Sequence, residues 1–170
     1  PGQVARREPD RTDRGTLVLQ SENNSYEGGT EVRAGTLEVN GTIGSVLVGE
    51  SGRLQGTGTV GNVEVAGTLA AGSAYPRPQS VAPAGFGSLL ISGDLRMADV
   101  GTLEVKVDAN GNSDLFEVDG TAYLDGQVFA LASGGDYSAG VDYTFLRAEG
   151  GIEGEFDGVS ANLAFLEASL

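Results

Sequence analysis

The 170-residue sequence has no cysteine, no histidine and no tryptophan, one methionine and a single lysine, Lys106. Without cysteine there is no disulfide framework and no thiolate metal site; the lack also suits a chain that must stay unfolded while crossing an oxidising periplasm. Without histidine a serine or cysteine nucleophile lacks its usual base. A Ser–Lys dyad would have to use Lys106, which alternates with Val105 and Val107 and is expected on a solvated outer face. No stretch approaches the ~18 consecutive apolar residues of a membrane-spanning helix. The opening residues, Pro1–Gly15, are polar and charged, with none of the apolar core of a signal peptide. Bases are scarce too: ten against twenty-four acids, a net charge of −14 and a pI near 4.1. Four of the ten lie in Pro1–Arg14, so the remainder is more acidic still. Such a surface suits neither nucleic acid nor anionic membrane, both of which need clustered Lys and Arg. The acidity reads as solubility of a secreted or surface protein. Aromatics are only 6% of residues and the hydrophobic fraction is 39%, less than a globular core of this length normally uses.

What is abundant is glycine, 28 residues, set in a recurring phrase of glycine, threonine and an aliphatic residue. The phrase occurs at Gly15-Thr16-Leu17, Gly35-Thr36-Leu37, Gly41-Thr42-Ile43, Gly58-Thr59-Val60, Gly67-Thr68-Leu69 and Gly101-Thr102-Leu103. A repeated turn-plus-strand unit without helices between predicts a solenoid, whose thin core needs few bulky residues because each rung buries its own against its neighbours. The densest statement is Asn24–Val39: a turn at Gly28-Gly29, a strand Thr30–Val32, a bend at Ala34-Gly35 and a strand Leu37–Val39. Further short strands are expected at Leu17–Leu19, Val46–Val48, Arg53–Leu54, Thr59–Val60, Val63–Val65 and Thr68–Leu69, with a turn at Ser51-Gly52. Leu17, Leu37, Leu54 and Leu69 recur at drifting intervals, as coils with variable corners do. The alternative is an antiparallel sandwich, disfavoured by strands of three to five residues and few aromatic anchors.

The chain divides into four segments. Residues 1–14 lack periodicity and read as a linker or frayed first rung. Residues 15–72 carry the repeated rungs. Residues 73–87, with Pro76, Pro78 and Pro83, read as a protruding loop. Residues 88–170 have longer strands, expected at Leu89–Ile91, Leu95–Met97, Leu103–Val107, Leu115–Val118, Ala122–Leu124, Val128–Leu131 and Tyr143–Leu146. Asn110-Gly111 between two of them is a hairpin signal. Eight of the eleven Phe and Tyr residues lie beyond position 100, so this segment has the richer core and the means to cap the solenoid. Asp108, Asn110, Asn112 and Asp114 alternate as in a calcium loop, but Gly111 is misplaced and no helices flank it, so a polar turn is the expectation. Twenty-four acids guarantee chance carboxylate pairs, so none is singled out, and no catalytic, cofactor or metal residue is assigned.

Asn24–Val39 resembles the passenger-associated strand repeat of bacterial autotransporters, Asn-Thr-Tyr-Ser-Gly-Gly-Thr-Thr-Val-x-x-Gly-Thr-Leu-x-Val, with Ser25 for Thr and Glu27 for Ser. Gly56–Val63 with Gly67–Gly72, Ser113–Gly120, and the tail Tyr143–Leu146 with Gly150–Asp157 and Asn162–Leu166 are similar to the segments downstream of that repeat in such passengers. The resemblance implies an all-β, right-handed parallel β-helix with a C-terminal cap that folds first at the cell surface and templates the rest. It implies export through the periplasm and outer membrane. It also implies, as partners, the protein's own N-terminal passenger and C-terminal β-barrel translocator. The expected role is a non-enzymatic stalk and autochaperone segment without cofactor. The alternative is an adhesin-type module contacting a host protein or glycan, with an enzyme third. The aromatic distribution makes Phe116, Phe129, Tyr143, Phe145 and Phe156 the folding-nucleus candidates.

Overall fold

The structure, a computed structural model, describes residues 15–21, 24, 28–72, 85–133, 135–138 and 140–162. The linker expected at 1–14 and most of the proline-rich loop expected at 73–87 lie outside them.

Among the described residues fifteen strands wind into stacked coils with three faces. The first face holds the N-terminal part of β2 (Thr30–Val39), that of β3 (Val46–Gly56), then β5 (Val63–Val65), β8 (Leu95–Met97), β11 (Ala122–Leu124) and β14 (Ile152–Gly154). The second holds β1 (Thr16–Leu19), the C-terminal parts of β2 and β3, then β6 (Thr68–Ala70), β9 (Thr102–Val107), β12 (Gln127–Ala132) and β15 (Gly158–Ala161). The third holds β4 (Thr59–Val60), β7 (Ser88–Ile91), β10 (Leu115–Val118) and β13 (Leu146–Ala148). Every ladder between these strands is parallel. The chain is therefore a parallel β-helix and not an antiparallel sandwich.

Side-chain alternation fixes what each rung buries. On the second face Leu17, Leu37, Leu54, Leu69, Leu103, Val128 and Val159 form one inward column. Leu37 is 3% exposed and Leu54, Leu69 and Leu103 are fully buried, whereas Leu17 at the column's end is 57% exposed. Leu89, Phe116 and Leu146 stack on the third face, and Val32, Val48, Val65 and Met97 on the first. Each fully buried aliphatic contributes about 1.5–3 kcal/mol. A single apolar cluster runs from Val32 to Phe156, so the rungs before and after the proline-rich stretch share one core.

The glycine phrase is a corner device. Gly35, Gly52, Gly67, Gly101 and Gly126 precede the register-matched residues Thr36, Arg53, Thr68, Thr102 and Gln127. There the chain turns from the first face to the second, and backbones of adjacent coils come too close for a side chain. A Cβ on Gly52 would collide with the Val32 carbonyl, one on Gly67 with those of Gly49 and Gly52. Gly41 and Gly58 serve the next corner, toward the third face, where a Cβ on Gly58 would strike the Gly41 carbonyl. The bends expected at Ala34-Gly35 and Ser51-Gly52 therefore occur inside β2 and β3. Backbone pairing continues around the corner, with only a register irregularity between Val32 and Ala34.

Two other expectations shift. The Asn110-Gly111 turn closes, with Gly111 at φ 87° and an antiparallel bridge between Val107 and Ser113. The hairpin extends no further than the bond from Asp114 N to Lys106 O (2.9 Å), because β9 and β10 then join different faces. The strand expected at Tyr143–Leu146 is instead Leu146–Ala148, and β14 and β15, short and glycine-bearing, add to the expected strands.

Candidate functional site

Most corners are two to four residues long. The three longest connections from β6 onward all leave from the corner between the second and third faces: 71–87 after β6, 108–114 after β9 and 133–145 after β12. Side chains stitch them together. Tyr143 Oη donates to the Asp108 carbonyl (2.7 Å), Tyr137 Oη to the Ser133 and Val107 carbonyls (2.8 and 3.2 Å), and Ser113 Oγ to the Thr144 carbonyl (3.1 Å). Asn162 closes the departure of the last excursion, its Oδ1 accepting from Ala132 N (2.7 Å) and its Nδ2 donating to Ala132 O (3.1 Å). A buried pair closes the first. Asp114, 1% exposed, accepts from Gly87 N at Oδ1 (2.7 Å) and Lys106 N at Oδ2 (2.9 Å). Lys106 Nζ lies 3.3 Å from Asp114 Oδ1 and donates to the Ala71 carbonyl (3.0 Å). Burial raises the Asp114 pKa, an effect opposed by the Gly87 and Lys106 N–H groups and the Lys106 charge.

Lys106 thus leaves the core face as expected, but its side chain is only 19% exposed. It is an ion-paired clamp, not a solvated lysine, because the first excursion returns beside it. The four alternating polar residues do not converge on one point. Asp108 accepts from Asn110 N (2.9 Å), Asn112 N (2.9 Å) and Asn112 Nδ2 (2.8 Å), as a polar turn does, while Asp114 turns inward. The Asn112 side chain, foremost, and the two backbone N–H groups hold the Asp108 carboxyl below its ordinary pKa. Among the described residues no three acidic side chains group to hold a metal.

A second polar system, unforeseen from sequence, crosses the outside of the second face. Asn40 Nδ2 and Gln55 Nε2 donate to the Glu38 carboxylate (2.7 and 3.0 Å); Arg53 Nε donates to Gln55 Oε1 (2.9 Å). Arg53 then reaches Glu104 in two bonds of 2.6 and 3.0 Å. Arg53 and Glu104 belong to β3 and β9, with β6 between, and the column runs Glu38, Gln55, then Ala70, then Glu104. The small Ala70 lies under the bridge. Glu38 and Gln55 are buried although they face away from the core. The first face carries an open trough of about 460 Å³ lined by Glu31, Leu47, Glu64, Asp94 and Arg96, with the Arg96 guanidinium 3.8 Å from the Tyr123 ring centroid. The second-face network holds rungs to one another, whereas in the trough the ion pairs Glu31–Arg33 and Asp94–Arg96 join residues two apart and only Arg96 over Tyr123 spans two coils.

Of the aromatic candidates, Phe116 is fully buried and Phe156 8% exposed. Tyr143 and Phe145 are partly buried against the core. Phe129 sits in the outward column between Glu104 and Ser160, half-buried and apart from the inner cluster.

The family described as passenger-associated-transport-repeat matches residues 12–39. An extracellular serine protease of Serratia marcescens is 31% identical over 172 residues, covering 94% of this chain and 15% of that protein. The chain spans well under a fifth of the length of the curated relative it matches.

Proposed function

We propose that the chain, a stretch of autotransporter passenger by its similarities, is a stalk and folding template rather than a catalytic domain. In this reading it lies at the cell surface or is released from it. Effector activity, such as that named for the Serratia relative, resides elsewhere in the precursor. The observation that carries the proposal is the asymmetry of the polar and aromatic fastenings. The coils from β3 to β6 have two-residue connections and an aliphatic core; the coils from β9 onward bring Phe116, Tyr137, Tyr143, Phe145 and Phe156 together and tie three excursions to one another. A solenoid rung buries little alone, so folding needs a nucleus of several rungs, and the aromatic packing and side-chain ties favour the later ones. The barrel translocator is the partner on which the segment emerges.

The test uses the full precursor in a secreting host. Phe116→Ala should lower the fraction of surface passenger that resists protease by about an order of magnitude, while Leu37→Ala, equally apolar and equally buried, leaves most of it folded. Equal losses would defeat the template role. Turnover of a peptide or ester by the isolated chain, abolished by one serine or carboxylate substitution, would defeat the non-catalytic one.

A further inference from the structure

We propose that Asp114 and Lys106 form a latch that makes the coils before the proline-rich stretch depend on the coils after it. Residues 71–87 are the longest stretch between two described strands, β6 and β7, and closing a longer loop costs more chain entropy. The returning strand must also re-enter in one register. Ser88 faces Leu115 and Leu89 faces Phe116, and a slip of one residue would turn Leu89 and Ile91 outward. The two stems meet at glycines: a Cβ on Gly87 would collide with Gly72 N and Cα, and one on Gly72 would fall 2.7 Å from Lys106 Nζ. Gly72 N donates to Gly56 O (2.7 Å), which ties the departing stem to the coil before it.

Apart from that bond, the groups that fasten the stems come from later coils. Lys106 Nζ holds the departing stem at Ala71 O, and Asp114 holds the returning stem at Gly87 N. Leu115 N donates to Gly87 O (2.9 Å), completing the grip from the same side. All three come from β9, the turn after it and β10. The stems therefore gain their fastening on the C-terminal side only once those later coils exist, and β4–β6, already paired on one side to the coil of β3, gain a fixed neighbour on the other side only once the stems are fastened. Asp114, buried with its oxygens occupied by three donors, is the joint between them. This deepens the template reading above and rests on it for direction in the cell, but the coupling itself is a property of the folded chain.

Hydrogen exchange followed by mass spectrometry on the whole chain reads the coupling. In Asp114→Ala, protection in 59–70 should fall roughly tenfold to a hundredfold, the effect of leaving buried N–H donors unpaired. Protection in 115–132 should stay within about threefold of wild type. A uniform loss, a loss confined to 115–132, or no change would each overturn the latch. The Lys106→Met, Asp114→Ala pair removes the unpaired ammonium and should behave as Asp114→Ala; recovery to wild-type protection would show a stray charge, not a latch. A shortened chain in which Ser73 is joined to Phe86 closes the gap covalently. In that background Asp114→Ala should exchange within about threefold of its parent, even if Asp114→Ala alone does not fold; a tenfold loss in 59–70 there would overturn the proposal. These readouts are made at equilibrium, so failure of the template role in secretion would leave them standing, and their failure would leave the secretion test unaffected.

Discussion

Cutting Phe116 to alanine removes the largest fully buried side chain, stacked between Leu89 of the preceding coil and Leu146 of the following one. A buried Phe→Ala change costs about 3–5 kcal/mol. If the C-terminal coils form the folding nucleus, about 0.6 of that loss appears in the folding barrier, or roughly 2–3 kcal/mol. Refolding should then slow by about twentyfold to 150-fold, and the rest of the loss should speed unfolding by about eightfold to thirtyfold. Leu37, 3% exposed in its own inward column, offers a loss of similar size, about 2–5 kcal/mol, in coils that assemble later. Leu37→Ala should leave refolding within about twofold of wild type and place nearly all of its loss on the unfolding rate. Stopped-flow refolding and unfolding in urea, read by far-UV circular dichroism, separates the two limbs. If Leu37→Ala slows refolding as much as Phe116→Ala, or if Phe116→Ala changes only unfolding, the nucleus does not lie in the C-terminal coils.

Glu104→Ala breaks both Arg53 bonds across Ala70 and should lower stability by about 1–3 kcal/mol; a cycle with Arg53→Ala should show coupling above ~0.5 kcal/mol, and independent losses would refute the bridge. Gly56, at φ 139° with its Cβ position filled by the Val39 carbonyl, should lose more than ~1 kcal/mol as alanine, whereas Gly28, with nothing near it, should stay within about 0.5 kcal/mol; comparable thermal melts would contradict the corner geometry. Asp108 has a lowered pKa in the folded chain, so its contribution is present above the ordinary carboxylate range and lost as pH falls through the folded value. Asp108→Ala should therefore lie below wild type in stability at pH 6 and approach it at acid pH, and a gap that widened on acidification would refute that sign.

The inward columns were legible because each asks only for the same kind of residue at each return of the chain, and Leu17, Leu37, Leu54 and Leu69 satisfy that in plain order. The glycine phrase was legible as a repeat but not as geometry. It marks two different corners, so its intervals look irregular until Gly35, Gly52, Gly67 and Gly101 are separated from Gly41 and Gly58. At Gly52-Arg53-Leu54 and Gly126-Gln127-Val128 the corner persists without the threonine, because only the glycine is sterically required; the next residue points outward and is free to change. That freedom is where the second face acquires chemistry, since Arg53 replaces the threonine and reaches Glu104.

The features hidden in the sequence share one physical cause. Inward environments depend on a residue's own alternation, but outward environments depend on which later coil lies alongside and on what each excursion brings back. Alternation places Lys106 outward and, from that alone, in water. Its actual partners are a carbonyl 35 residues earlier and a carboxylate 8 residues later, brought together by a connection whose length carries no sign of where it returns. Asp114 likewise reads as the last member of a polar turn, with no mark distinguishing it from Asp108, yet one is buried and the other only half-buried. The difference arises one residue further on. Leu115 must begin β10 in register with Ser88, which draws the preceding side chain under the returning stem, against Gly87, Lys106 and their N–H groups. A carboxylate is the side chain that can accept from all of them at once, so an acid there answers to the register of the coil rather than to any ligand.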